Sequence, residues 1–337
     1  MTDEDVLLIT GRQVDAALAG RHRQIADAVR AAYQARSRHQ DALPQAGILR
    51  FADDPRNRVI ALPARVDVGT ERAGMKWIAS FPANTARGLE RASAVIMLNS
   101  LQTGRVTTVM EGSLISAKRT AASAAVAAAE VHRAAGPSTL GLIGCGRINF
   151  EILQFIRAVG PEVDAVLVFD QDPARAEGFA ERCADVAPEL KVAVAASIAE
   201  TLAASPLVSF ATTAIEPHVS DLSMCPAGAT ILHISLRDIA PREILLAENL
   251  VDDVEHACAA QTSVHLAEQL VGHRDFIRAT LGDVLLGRVR PRAQDNSPLI
   301  FSPFGMGTLD IAVAGLVLDT VQDAVAVPDF WPAPWNS

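Results

Sequence analysis

The stretch from Ser138 to Asp172, STLGLIGCGRINFEILQFIRAVGPEVDAVLVFDQD, constrains the fold more than any other part of the chain. Thr139 to Ile143 is a short apolar run of the kind that parallel sheets bury on both faces. Gly144, Cys145 and Gly146 make a turn, after which Ile148, Ile152, Phe155, Ile156 and Val159 recur at helical spacing. Gly160-Pro161 stops that helix, and Val166 to Phe169 is a second apolar run closed by Asp170. Strand, glycine turn, helix, strand and acid together form the pattern of a βαβ unit that binds a dinucleotide. Glycines let the main chain approach a pyrophosphate, and the helix start offers it unpaired N–H groups and a positive dipole end. An acid closing the second strand accepts ribose hydroxyls and repels a 2′-phosphate, so Asp170 predicts NAD rather than NADP. Asn149 replaces the third glycine of G-x-G-x-x-G, and a purely structural turn is the competing reading. The flanking strands and the position of Asp170 favour the nucleotide.

A chain of 337 residues is long enough for two lobes with separate cores. Half the residues are hydrophobic and a fifth are charged, as in soluble globular proteins. A net charge of −9 argues against nucleic acid or an anionic membrane as partner. The acidic start, Met1 to Asp5, lacks the cationic region of a signal peptide. The run Ala121 to Ala129, flanked by Lys118, Arg119 and Glu130, is too short to span a bilayer. Cys145, Cys183, Cys225 and Cys258 show no metal spacing and read as reduced thiols of a cytoplasmic protein, with Cys145 a small packing residue in its turn. His265 and Glu268 stand at i, i+3 without a third ligand at suitable spacing, so no metal is predicted.

Before the βαβ unit, Thr10 reads as the N-cap of a helix running to about residue 35, with Val14, Leu18, Ile25, Val29 and Tyr33 on one face. Gly47 to Phe51, Arg58 to Leu62 and Ala73 to Ser80 read as strands, and Ala92 to Asn99 with Val106 to Met110 as a hairpin around Gln102-Thr103-Gly104. Ser113 to Arg133 is a long Ala-rich helix, and Gly136-Pro137 a plausible hinge. Beyond the unit, helices over 175–185 and 197–204 alternate with strands over 191–195, 207–211 and 230–235. A final apolar helix over 309–324 is expected to return to the first lobe, ahead of a Pro/Trp-rich surface tail over 328–337. The predicted class is α/β: a Rossmann-type, doubly wound parallel sheet over 136–307, plus an antiparallel α+β lobe over 1–135 and 308–337.

Three ordered blocks carry a resemblance: Met75 to Thr85 (MKWIASFPANT), Arg91 to Ala94 (RASA) and Ile115 to Ala122 (ISAKRTAA). The chain resembles the ornithine cyclodeaminase/μ-crystallin family over nearly its whole length. Gly144 to Phe150, Ile234 to Asp238, Thr262 to Glu268 and Ser302 to Gly307 are most similar to one branch, the dehydrogenase of L-2,3-diaminopropionate biosynthesis. The family implies a substrate-binding and dimerising first lobe, hence a homodimer, and a second lobe for NAD. The branch implies NAD-dependent oxidation of N-[(2S)-2-amino-2-carboxyethyl]-L-glutamate and hydrolysis to 2-oxoglutarate and L-2,3-diaminopropionate, a building block for siderophores and peptide antibiotics. Ornithine cyclodeaminase, alanine dehydrogenase and ketimine reductase activities remain as alternatives, as does nucleotide-dependent binding of a small hormone without catalysis.

The resemblance also assigns roles. Lys76, by strand alternation opposite Met75 and Trp77, matches the family's catalytic-site lysine, where a solvated surface lysine is the bland alternative. Arg50 and Arg119 match its substrate-binding arginines, suited to gripping carboxylates with two parallel bonds; a surface arginine and a helix ion pair are the respective alternatives. Asp238 matches its catalytic aspartate, against the reading of a helix N-cap. Cofactor contacts are implied for Arg91, Arg119, Thr120, Gly144, Gly146, Arg147, Ile148, Asp170, Thr212, Thr213, Ser235 and Leu236.

Overall fold

The computed structural model describes residues 5–54, 56–134 and 136–332; the first four residues and the last five of the Pro/Trp-rich tail lie outside these. Packing divides the chain into two compact units, Met1–Arg119 with Met306–Ser337, and Thr120–Gly305.

The first unit holds strands β1 (Val6–Ile9), β2 (Asp41–Ala42), β3 (Gly47–Arg50), β4 (Arg58–Asp67), β5 (Glu71–Ser80), β6 (Ala92–Asn99) and β7 (Val106–Glu111), with a closing strand Val325–Val327. The order is closing strand, β1, β7, β6, β5, β4, β2, and β3 also pairs with β4. Neighbours are antiparallel except β1 and β7. β4 runs past the expected end at Leu62, pairing with β5 from Arg58↔Ser80 to Asp67↔Glu71. Pro63 is tolerated because it falls in the gap between β3, which pairs at residues 58–61, and β2, which pairs at 65–66.

Thr10 caps the first helix in a reciprocal capping box with Gln13. The single helix expected over 10–35 is instead two, α1 (Gly11–Leu18) and α2 (His22–Ser37). Gly20 breaks it by taking a left-handed φ of 69°. The long Ala-rich helix is α3 (Ser113–Val131). The C-terminal helix spans Gly307–Leu318 rather than 309–324 and is buried on nearly every side against α2, β4 and β5. A side chain at Gly307 would meet the Leu62 carbonyl oxygen at 2.8 Å, so glycine lets this helix start close against β4.

The second unit is a parallel sheet of β8 (Ser138–Ile143), β9 (Val163–Phe169), β10 (Lys191–Val194), β11 (Leu207–Phe210), β12 (Thr230–His233), β13 (Glu248–Val251), β14 (Ile277–Thr280) and β15 (Leu299–Ser302). Its order is β10-β9-β8-β11-β12-β15-β13-β14. Chain direction across the sheet reverses between β8 and β11, the point where doubly wound sheets bind ligands beyond their carboxyl ends. The fold is therefore α/β, a Rossmann-type parallel sheet plus a largely antiparallel α+β unit. The strands expected over 207–211 and 230–235 stop at Phe210 and His233. Asp238 consequently neither ends a strand nor caps the helix Pro241–Leu246, whose N-cap is Ala240. No helix among the described residues is long and apolar enough to cross a membrane.

Candidate functional site

Lys76 lies on β5 between Leu62 of β4 and Ile96 of β6, and only 1% of its surface is exposed. A buried ammonium requires partners. Its Nζ is 2.7 Å from Oδ2 of Asp310 and 3.2 Å from Oγ of Ser116. Asp310, fully buried, sits in the first turn of the C-terminal helix, where the helix dipole favours a carboxylate. Its Oδ1 accepts from Nε of Arg119 at 2.9 Å. Ser116 and Arg119 are one turn apart on α3 and so share a face.

Two cations thus share one carboxylate, leaving a surplus positive charge suited to a further anion. Burial and the neighbouring Arg119 push the Lys76 pKa down to about 8 against the opposing pull of Asp310. Near neutral pH the lysine can therefore act as a cation or give up a proton. The sequence reading missed Asp310 and Ser116. A lone acid in the apolar run Leu309-Asp310-Ile311-Ala312-Val313 was the available signal.

Arg50 stands exposed at the end of β3 and, among the described residues, does not join this cluster. Arg91 donates from Nη1 to Ser80 Oγ at 3.0 Å, and its burial lowers its pKa.

In the second unit the glycine turn leads from β8 into helix α4 (Arg147–Val159). Gly144 takes a φ of 94°, and a Cβ there would lie 2.6 Å from the Ala211 carbonyl oxygen, so glycine is required twice over. Gly146 precedes α4 with no side-chain cap and with open space where a Cβ would be. The first amides of α4 therefore face an uncrowded approach, as pyrophosphate binding needs.

Asn149 does more than replace a glycine. Its amide nitrogen donates to the carbonyls of Ile143 (2.9 Å) and Gly144 (2.8 Å), and its oxygen accepts from Ser209 Oγ at 2.8 Å, bracing the turn against β11. Asp170 accepts from the amides of Cys145 (2.8 Å) and Asp172 (3.1 Å), which fixes its carboxylate beside the turn. Cys145 is not a nucleophile at neutral pH, since burial pushes its thiol up to about 12. Arg147 and Ile148 open α4, and Thr120 follows Arg119 on α3.

Asp238 is fully buried. Thr212 Oγ1, on the loop after β11, donates to its Oδ1, and Ser235 Oγ, on the loop after β12, donates to its Oδ2. His233 Nε2 lies 3.4 Å from Oδ2 and 3.2 Å from the Asp238 amide nitrogen. Protonated, that ring nitrogen donates to the carboxylate; bare, it accepts from the amide. Burial raises the Asp238 pKa, but His233, Ser235 and Thr212 together outweigh it and hold the group below the ordinary carboxylate range.

Leu236 takes a left-handed φ of 69° in this loop, the kind of non-glycine strain that concentrates at functional sites. Thr213 is exposed beside Thr212. Arg237 donates to the Ala260 carbonyl at 2.6 Å. His265 and Glu268 turn to local partners, Gln261, Gln269 and Arg274. No group of three metal-ligating side chains occurs among the described residues.

The model of the ornithine cyclodeaminase/mu-crystallin family matches residues 11–324. The N-((2S)-2-amino-2-carboxyethyl)-L-glutamate dehydrogenase of Staphylococcus aureus is 30% identical over 312 residues, covering 90% of this chain and 92% of that protein. A Thermococcus litoralis Delta(1)-pyrroline-2-carboxylate reductase, solved with NADH and L-proline, superposes with a TM-score of 0.86 at 22% identity, covering 94% of this chain and 97% of that one. An archaeal alanine dehydrogenase dimer with bound NAD gives 0.85 at 24% identity, covering 95% and 99%. With its family's sequence pattern along nearly its full length and the matching two-unit fold, the chain belongs to the ornithine cyclodeaminase/mu-crystallin family.

Proposed function

We propose that the chain is an NAD-dependent amino-acid dehydrogenase that oxidises N-[(2S)-2-amino-2-carboxyethyl]-L-glutamate, with hydrolysis to 2-oxoglutarate and L-2,3-diaminopropionate. The observation that carries this reading is the buried Lys76–Asp310–Arg119 cluster, whose surplus positive charge suits a substrate bearing three carboxylates. The similarity to the Staphylococcus aureus dehydrogenase supports the choice of substrate. Gly144, Gly146, Arg147 and Ile148 would hold the pyrophosphate, Asp170 the adenosine ribose, and Thr212, Thr213, Ser235 and Leu236 the rest of the dinucleotide, with Arg91, Arg119 and Thr120 contributing from the first 120 residues. When bound, NAD⁺ supplies the acceptor for the hydride leaving the glutamyl Cα.

The chain's own residues bind, orient and move protons. Arg119 and Lys76 hold carboxylates, with Arg50 as a further, exposed cation for the third. Asp238, ionised at neutral pH, takes a proton from the substrate ammonium so that the nitrogen lone pair can form the C=N bond. Water then adds to that bond, and the carbinolamine collapses to keto acid and amine. Each turnover releases one net proton. Orientation contributes most, because hydride transfer demands close approach of Cα to its acceptor.

Purified protein given this substrate and NAD⁺ should accumulate NADH absorbance, with far less from NADP⁺. Ammonia from ornithine without net NADH would replace the proposal with a cyclodeaminase.

The chain also works as a homodimer in this reading. The outer face of the antiparallel sheet is apolar and open, with Trp77 and Val95, cross-strand neighbours, 43% and 40% exposed. Sedimentation should give twice the chain mass for the native protein and the single mass for Trp77→Asp. Equal masses for the two would exclude this face as the contact.

A further inference from the structure

We infer that His218 relays the proton between Asp238 and solvent, acting through that carboxylate during the amine oxidation proposed above. The inference rests on that reaction and adds to it the proton's way out. Asp238 is fully buried, so a proton it takes from the substrate has no direct route to water.

The groups that face it divide by side and by chemistry. Oδ2 meets the Ser235 hydroxyl and the fully buried His233. Oδ1 meets the Thr212 hydroxyl and, at 3.9 Å, Nε2 of His218. Of these four neighbours, His218 alone combines a proton-accepting ring with access to solvent, its side chain being 31% exposed.

The main chain holds the two residues in register. The amides of His218 and Val219 both donate to the Asp238 carbonyl at 2.8 Å, and the Val219↔Ile239 bridge continues the pairing. The loop after β11 is thereby fastened to the loop after β12, which keeps the imidazole beside the carboxylate. A separation of 3.9 Å is longer than a hydrogen bond, so the relay requires the imidazole to move toward Oδ1 before the proton passes.

The chemistry also calls for such a partner. A carboxylate held below its ordinary range is a poor final resting place for a proton. Imidazole, which ordinarily titrates at about 6.5, is a better one near neutral pH. In the relay the substrate N–H bond breaks as an Asp238 O–H bond forms. That bond then breaks as the His218 Nε2–H bond forms, and the imidazolium loses its proton to water. Nothing is oxidised or reduced in these steps. Loss of that proton leaves Asp238 ionised for the next turnover.

The test uses the full chain with NAD⁺ and the aminocarboxyethyl-glutamate. His218→Ala should lower kcat by about 10²-fold, the lower end of what a positioned acid–base group supplies. NAD⁺ affinity, read by protein fluorescence, should be unchanged and reports that the loop has kept its fold. Added free imidazole should restore rate in proportion to its unprotonated fraction, because the vacated position is open to solvent. His218→Gln, which fills the space but neither takes up nor releases a proton near neutral pH, should be slow and not rescued. An undiminished kcat in His218→Ala, or a loss that imidazole does not relieve, would overturn the relay. Failure of the unaltered protein to reduce NAD⁺ with this substrate would instead overturn the proposed reaction, so the two failures are separable.

Discussion

Asp310→Asn is expected to destabilise the protein by about 3–5 kcal/mol near pH 7, the cost of stranding buried charge when one member of an ion pair is removed. The variant leaves Lys76 and Arg119 buried without the carboxylate that bridges them at 2.7 and 2.9 Å. Two signatures separate this from ordinary core damage. The first is pH dependence of stability. In the native protein the Lys76 pKa already lies at about 8, below its unfolded value, with Asp310 working to raise it. Removing Asp310 lowers it further.

A lysine depressed on folding binds fewer protons folded than unfolded, so stability rises with pH once the folded pKa is passed. The variant passes that point at lower pH than the native protein does. The gap between their unfolding midpoints should therefore narrow as pH rises toward 8 in parallel urea titrations. The second signature is catalytic. Substrate KM should rise sharply and NAD⁺ affinity should fall far less, since of the proposed cofactor contacts only Arg119 is oriented by Asp310. The KM of the native enzyme should itself climb above about pH 8, as Lys76 loses its charge, and that climb should begin at lower pH in the variant. A pH-independent stability gap with an unchanged KM would show that Asp310 merely packs.

Asp310 also marks the limit of what the amino-acid sequence discloses. The βαβ unit is legible because its parts are contiguous: apolar runs, two glycines, a helical stripe and Asp170 all lie within 35 residues, and local sterics dictate each. Lys76 is harder, because a single cation in an apolar strand has the same pattern whether it faces water or a buried acid. Its buried partner is on the C-terminal helix, and Arg119 reaches the same carboxylate across 191 positions of sequence. Family resemblance supplied the cations; nothing in local pattern supplied the anion that sets their charge. Asn149 was visible as a missing glycine, yet one of its three hydrogen bonds comes from Ser209 on β11, 60 residues away. The helix break at Gly20 was missed for a different reason: apolar spacing on both sides continues one face across the turn, and periodicity alone does not register a left-handed residue. His218 and His233 escaped notice because nothing local marks them: His233 closes an apolar strand, His218 lies in the loop after β11, and only the fold brings both to Asp238.

Asp238→Asn is expected to lower kcat by about 10²–10⁴-fold, the range a positioned general base contributes. The substitution is nearly isosteric. The amide oxygen can accept from Thr212 and the amide NH₂ can donate to the Ser235 hydroxyl, so the loop after β12 should keep its course and NAD⁺ affinity should stay near native. What disappears is an acceptor for the substrate's ammonium proton. With that proton retained, nitrogen has no lone pair to form the C=N bond and Cα does not release hydride.

The folded pKa of Asp238 lies below the unfolded value, so the stability its ionised form contributes is fully present above the ordinary carboxylate range of about 3.9. It is lost only as pH falls through the lower, folded pKa. Across pH 6 to 9 the kcat deficit of Asp238→Asn should accordingly be nearly constant where substrate amine ionisation is held equal, and the stability difference should be flat. Raising pH to pre-deprotonate the substrate amine should then recover part of the rate in the variant, because the missing base is no longer required for that step. A kcat close to native at pH 7, with coenzyme and substrate both bound, would remove Asp238 from the proton path. It would then be the strut that joins the loops of Thr212 and Ser235, and the proton acceptor would have to be sought at Lys76.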